Sequence, residues 1–415
     1  VEHQLRVLVI GLDSRAARPQ TESYAVRWAR EMSRHVDEYV VLCQSDDGST
    51  FGPVPLAPNA VAYAIGAGGA SYSARAARFA RDLHARQPFD VCTTEDPFRA
   101  GLAGLLFSQK TGVALNVENH SLHINNPDWL SARTRNRLYN RIGLAVLRRA
   151  DTIRNYSADQ AQDLLAAGVS ARRLFTVPPP APEPNPMSRA EARAALGWGA
   201  DERVVLSAGR MVPVKNGTGL LNAFAIVAKH RSCRLVMAGD GPERGRWEQH
   251  ARSLGLDGRV DWPGAVPDQK MPLFFAAADL FATASCNETG PRTVLEAFAA
   301  GVPSVGTHRM GVVATGVLAH GETGFVVDPD DAIGMAEAMD LLLGDPGWAS
   351  RMGSEGRRRL APMNYASTAR RMLAVFKETI RRRSVAGAEI PEPQRADGHL
   401  PAGERAEAIP GEPAY

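Results

Sequence analysis

A proline run near the middle of the chain limits its folding more than any other feature. Residues 178–187 read PPPAPEPNPM, six prolines in ten residues. Proline fixes φ and removes a backbone donor, so this stretch is neither helix nor central strand and is expected to be a stiff linker. On both sides of it, short apolar runs alternate with Ala/Leu/Arg-rich stretches of helical spacing, which predicts an α/β chain whose strands form parallel sheets. Before the linker the expected strands are 5–10 (LRVLVI), 39–43 (YVVLC), 90–93, 113–118, 151–154 and 173–177. After it they are 204–209 (VVLSAG), 234–239 (RLVMAG), 260–264, 279–285, 303–307 and 324–328, with helices near 217–230, 243–254 and 291–300. Two Rossmann-like, doubly wound domains in tandem follow, and such sheets bind ligands at the carboxyl ends of their strands, facing a shared cleft if the domains oppose each other. The expected limits are 1–180 for the first domain and 181–363 for the second. A helical segment, 364–383, would return to the first domain, and a Pro/Gly/Glu/Ala-rich tail, 384–415, is expected to be disordered.

Composition excludes several classes. With 415 residues, 44% hydrophobic and 22% charged, the chain is neither globally disordered nor a coiled coil. A net charge of +3 gives no ground for a nucleic-acid partner. No stretch reaches the ~20 apolar residues of a membrane span. The start, VEHQLRVLVIGLDSR, lacks a basic leader and a cleavage site, and the scattered Cys43, Cys92, Cys233 and Cys286 read as reduced thiols, so a cytoplasmic location is expected. Residues 133–149 carry Arg133, Arg135, Arg137, Arg141, Arg148 and Arg149 among Leu and Ile. That pattern is either a solvated face above the core or an amphipathic surface making peripheral contact with a membrane that holds a lipid-linked acceptor. Arg381–Arg383 would add a basic anchor in the second case, and complement a helix end in the first.

The chemistry concentrates in Ser285–Pro303, SCNETGPRTVLEAFAAGVP. A strand ends near Ser285, Gly290 supplies a turn, Pro291 suits the first helical position and Gly301 the stop. The free N–H groups of Arg292 and Thr293 at that helix start form an anion site fit for a phosphate, and the Arg292 guanidinium adds charge. Glu288 lies in the loop and Glu296 inside the helix. Eight residues of helix would separate them by ~12 Å, beyond the reach of a hydrolase's carboxylate pair, so they are expected to act separately. Glu288 would meet the group attached to the phosphate and Glu296 a ribose hydroxyl, unless both are solvated helix-end carboxylates.

Glu-x7-Glu followed by AFAAGVPSV resembles the signature of retaining GT-B glycosyltransferases of the family 4 type (glycosyl transferases group 1), over about residues 203–380. Ser207–Lys215, SAGRMVPVK, resembles the G-R-x4-K stretch in which Arg210 and Lys215 would hold the donor diphosphate. The pair suits a pyrophosphate, Arg as a planar fork and Lys as a point charge, and Lys215 is one of only five lysines. Gly239-Asp240-Gly241-Pro242 matches the G-x-G-P turn, and Arg259–Asp268 the segment whose backbone commonly meets the base. In the first domain, Asp96-Pro97-Phe98 and then Asn116–His120 resemble the strand ending in a histidine that reaches the transferred sugar, which gives His120 that role. Two loops depart from the pattern: Pro19-Gln20 stands where paired glycines are usual, and Thr289-Gly290-Pro291 stands for Gly-Phe-Gly.

The resemblance implies an enzyme that moves a hexose-type sugar from a UDP- or GDP-sugar to a hydroxyl of a glycan, a lipid-linked or a small-molecule acceptor, with retention. The fold would open and close about the linker as one hinge. No cofactor is expected, and no divalent metal is required if Arg and Lys neutralise the phosphates. Asp328-Pro-Asp330-Asp331 contains an Asp-x-Asp string but follows GFVV as a strand-ending turn. The rivals are a sugar-nucleotide 2-epimerase, a sugar phosphorylase and a catalytically silent sugar-nucleotide-binding protein.

Overall fold

The computed structural model describes residues 5–66, 71–290 and 292–386. Its first sheet has eight strands: β1 Arg6–Ile10, β2 Glu38–Gln44, β3 Phe51–Ala57, β4 Ala60–Ile65, β5 Val91–Thr94, β6 Ala114–Glu118, β7 Thr152–Asn155 and β8 Leu174–Thr176. They lie in the order β3-β4-β2-β1-β5-β6-β7-β8. All pairs are parallel except β3 on β4. The β3–β4 hairpin is not expected from the apolar pattern, because Pro53 and Pro55 break the run. Prolines are tolerated on an edge strand, where the missing N–H faces no partner, and β3 is that edge. Leu8, Ile10, Val40, Leu42, Leu115 and Val117 anchor the core of this sheet.

The second sheet is wholly parallel. Its strands are β9 Arg203–Ala208, β10 Cys233–Ala238, β11 Val260–Gly264, β12 Leu280–Ala282, β13 Ser304–Thr307 and β14 Gly324–Val327, in the order β11-β10-β9-β12-β13-β14. Strand order reverses between β9 and β12, and in the first sheet between β1 and β5. Loops that leave such a switch point on opposite sides of the sheet open a crevice between them, which makes these the two places to look for ligands.

The chain divides into two compact units, one running to Val177 and resuming at Ala369, the other Pro178–Thr368. The proline run differs from a free spacer. Pro179, Pro180 and Ala181 are buried in the second unit, the Ala181 N–H donates to the Met363 carbonyl at 2.7 Å, and Asn185 donates to Ala299 and Pro272. A polyproline segment has few N–H groups to satisfy, so it can be laid against a core at little polar cost.

The last helix, Tyr365–Ala386, runs three residues past the expected start of the tail, so 384–386 are helical, while 387–415 lie outside the described residues. Thr379 Oγ1 meets Thr152 Oγ1 at 2.6 Å and Arg383 pairs with Asp151. Arg381 and Arg382 both pair with Glu378. In the helix Thr134–Leu147, Asn136, Asn140, Gly143, Val146 and Leu147 face inward, with Arg135, Arg137, Leu138 and Arg141 exposed. Among the described residues no helix is long and apolar enough to cross a membrane.

Candidate functional site

At the switch point of the second sheet, two loops interlock. Gly209 donates to the Ala238 carbonyl at 2.9 Å, Met211 to Asp240 at 2.8 Å, and Gly239 to Gly264 at 2.8 Å. Gly239 and Gly241 have φ of +148° and +155°. A Cβ on Gly239 would fall on the Gly209 carbonyl oxygen, and one on Gly241 on that of Met211. Only glycine permits both the backbone conformation and the approach, so the Gly-Asp-Gly-Pro turn clamps the loop that bears Arg210.

The 3-10 turn Pro213–Lys215 then points Lys215 at the loop after β12, where its Nζ lies 2.7 Å from Glu288 Oε1. The Cys286 N–H donates to the Val214 carbonyl, the Glu288 N–H to Arg309, and the Glu288 carbonyl accepts from Gly311. Glu288 is therefore pinned by the loops after β9 and β13. Arg210 and Lys215 line one small cavity with Gly209, Met211, Trp247 and Thr283. Arg210 is exposed, and no described residue partners its guanidinium. The helix Arg292–Ala299 begins beside this loop, with Thr293 and Gly290 half-buried and Arg292 Nη2 at 3.2 Å from Glu296 Oε1. Pro291, expected at its first position, lies outside the described residues.

Two cations expected to hold phosphate, Lys215 and Arg292, are thus paired with the two glutamates of the Glu-x7-Glu motif. A diphosphate entering here competes with carboxylates already in place. The Asp328–Asp331 string makes a turn and a cap: Asp328 Oδ1 accepts from Asp330 N–H at 3.0 Å, and Asp331 Oδ1 accepts from Gly334 N–H at 2.8 Å.

In the first unit, β6 ends at Glu118, and His120 folds back on it with Nε2 at 2.7 Å from Glu118 Oε2. The same oxygen accepts from Arg154 Nη1 at 2.6 Å, and Arg154 is fully buried, its Nε donating to the Val177 carbonyl. The His120 ring stacks on Tyr156 at 4.8 Å. Burial pushes the Glu118 carboxyl up, but Arg154 and His120 outweigh it and hold it at about 2. An ionised carboxylate only accepts, so His120 donates to it from Nε2 and its ring orientation is fixed.

Glu95, in the loop after β5, accepts from the Leu12 N–H at 3.3 Å, and a Cβ on Gly11 would fall on its carboxylate. Burial, then the nearby Glu118 and Asp13, push Glu95 up to about 8, so at neutral pH it is mostly a neutral acid that can both donate and accept. The sequence pattern alone gives no role to Glu118, Arg154 or Glu95. The available signal was a charged residue at the end of an apolar strand run. The loop with Pro19-Gln20 forms a 3-10 turn, after which Glu22, at φ +46°, pairs with Arg30, and Ser23 caps the helix Tyr24–Ser33.

Two Rossmann-like units, each with its own switch point, are the building plan of the GT-B class. The family described as glycosyl transferases group 1 matches residues 188–359, and the glycosyl transferase 4-like domain matches residues 21–180. The chain belongs to the GT-B glycosyltransferases of the family 4 type. It is 35% identical over 168 residues to the lipopolysaccharide core biosynthesis glycosyltransferase LpsE of Rhizobium meliloti, 40% of this chain and 47% of that one. It is 27% identical over 282 residues to the D-inositol 3-phosphate glycosyltransferase of Corynebacterium efficiens, 66% of this chain and 61% of the relative. The matches thus span about half the length of these curated relatives. Among solved structures, sucrose-phosphate synthase from Thermosynechococcus elongatus superposes with a TM-score of 0.78 at 22% identity, covering 92% of this chain and 100% of that one. Anabaena HepE in complex with UDP-glucose gives 0.72 at 19%, covering 90% and 99%.

Proposed function

We propose that the protein transfers a hexose-type sugar, with retention, from a nucleoside diphosphate sugar to an acceptor hydroxyl. The observation that carries this is the Lys215–Glu288 pair, braced by the loops after β9 and β13, beside an exposed Arg210 and a helix start. It joins a phosphate-binding cation to the carboxylate expected to meet the sugar. The leaving diphosphate is held by Arg210, Lys215 and the N–H groups of Arg292 and Thr293, whose fixed positive charge stabilises the charge that develops on it. The bond from C1 to the phosphate oxygen breaks, the bond from C1 to the acceptor oxygen forms on the same face, and the acceptor proton passes to the departing phosphate oxygen. No separate general base is then needed, and the cations supply the neutralisation that a divalent metal would otherwise give. Glu288 orients the sugar, Glu296 takes a ribose hydroxyl, and His120, fixed by Glu118, bonds a sugar hydroxyl.

UDP is the favoured nucleotide, on the fold shared with HepE, whose structure holds UDP-glucose. The kinship with lipopolysaccharide-core and inositol-phosphate transferases leaves glycan, lipid-linked and small-molecule acceptors in play, the lipid-linked case being the one in which the arginine face of Thr134–Leu147 rests on a membrane. The test is a thermal-shift panel of UDP, GDP, ADP and TDP and their sugar conjugates, with and without EDTA, followed by donor hydrolysis. An EDTA-resistant shift for one base with release of sugar supports the reading. No response to any nucleotide removes it, and binding without turnover leaves a silent binder.

A further inference from the structure

The second unit carries a cavity at the amino ends of β9, β12 and β13, the end of the sheet away from Arg210 and Lys215. It measures about 330 Å3, and its lining joins an apolar floor of Val302, Leu342 and Leu343 to Arg189 and Arg203. One carboxylate serves three guanidinium groups there. Asp279 accepts from Arg189 at 2.5 Å, from Arg193 at 2.9 Å and from the Val204 N–H at 2.7 Å, while Arg203 stands 3.6 Å away. Arg193 is structural: its side chain is 2% exposed and its other donors go to the carbonyls of Gly199, Ala200, Glu202 and Ala277.

Arg189 and Arg203 differ from it. Each guanidinium has five N–H donors. Among the described residues Arg189 directs its one side-chain hydrogen bond to Asp279, and Arg203 makes none. Asp279 is the one acidic residue among the described lining residues. The lining therefore combines two solvent-facing guanidinium groups, which share one carboxylate with the buried Arg193, and the apolar side chains of Val302, Leu342 and Leu343, a pairing that a purely structural ion cluster does not need.

We propose that this pocket binds a small oxyanion with an apolar body, a phosphate monoester or a carboxylate. The head group sits between Arg189 and Arg203 and the body lies on Val302, Leu342 and Leu343. The site is separate from the phosphate loops and does not depend on the transferase reading.

The test is calorimetric titration of the full chain with hexyl phosphate, hexanoate and inorganic phosphate. It is repeated on Arg203→Gln, whose guanidinium makes no hydrogen bond to another described residue, on Arg189→Gln/Arg203→Gln, in which Arg193 still holds Asp279, and on Lys215→Ala. Saturable binding of hexyl phosphate or hexanoate is expected, weakened roughly tenfold or more by Arg203→Gln and further by the double variant, with Lys215→Ala unchanged. The tighter of the two ligands names the head group. Inorganic phosphate should bind at least about tenfold more weakly, because it lacks the apolar body. No binding of either chain-bearing anion, binding that survives the double variant, or binding lost in Lys215→Ala would overturn the proposal, as would inorganic phosphate binding equally well.

Discussion

The carboxyl ends of the two sheets handle charge in opposite ways. In the second unit the ionic groups are part-exposed, Lys215 lying against Glu288 and Arg292 against Glu296. Such pairs contribute little to stability and are readily exchanged for another anion. In the first unit the ionised pair is buried: Arg154 and Glu118 are almost inaccessible, and the second carboxyl, Glu95, is driven toward its neutral form. A buried, fully engaged pair is not available to a ligand and instead orients what touches it, here His120. On the proposed function, the first arrangement serves to recognise phosphate and the second to orient a group that meets hydroxyls, on two sheets of the same kind.

The largest effect that would break this contrast comes from Arg154→Met. It strands the Glu118 carboxylate in the core, and a loss of roughly 3–5 kcal/mol in unfolding free energy is expected from denaturant titration. A loss below about 1 kcal/mol would place Arg154 among the surface pairs. Next is Glu288→Gln, which removes the carboxylate while leaving the loop hydrogen bonds made by its backbone. Nucleotide affinity should hold or rise, because the carboxylate that competes for Lys215 is gone, while kcat falls roughly 10²-fold, and full turnover would take Glu288 out of the site.

The smallest effect sharpens the first unit. Glu95 is raised from its ordinary 4.5 to about 8. The folded chain therefore holds a proton that the unfolded chain releases, and the stability linked to it is full below 4.5 and lost as pH rises toward 8. Glu118, lowered to about 2, works in the other direction, its contribution being lost as pH falls from 4.5 toward 2. Glu95→Gln should flatten the decline of Tm between about pH 5 and 8. Parallel declines in the variant and the wild type would mean that Glu95 ionises as freely in the folded chain as in the unfolded one.

How much was legible follows the same division. The second unit is readable because its strands end in loops whose composition is dictated locally: glycine at a positive φ in Gly239 and Gly241, a lysine on a short turn, glutamates around a helix start. The parallel sheets are readable because strands buried on both faces leave continuous apolar runs such as VVLSAG and RLVMAG. The β3–β4 hairpin escapes because its prolines are permitted only by an edge position, which is a tertiary fact. Glu95 and Arg154 escape for a related reason. Their roles depend on strands far apart in sequence, β5 beside β1 and β7 beside β6, and a charged residue at a strand end reads as solvated until those neighbours are known. The proline run is visible at once, but its burial against Met363 is not, since a rigid extended segment looks the same free or docked.

On the proposed function, Lys215 exchanges Glu288 for a donor diphosphate. Calorimetric titration of UDP into the full chain and into Lys215→Ala, both in EDTA, tests it most directly. Saturable binding to the native chain, weakened by roughly 2–3 kcal/mol in Lys215→Ala, is the expected result. Equal affinity for the two proteins would contradict the phosphate role of Lys215 and with it the reading of the loops after β9 and β12.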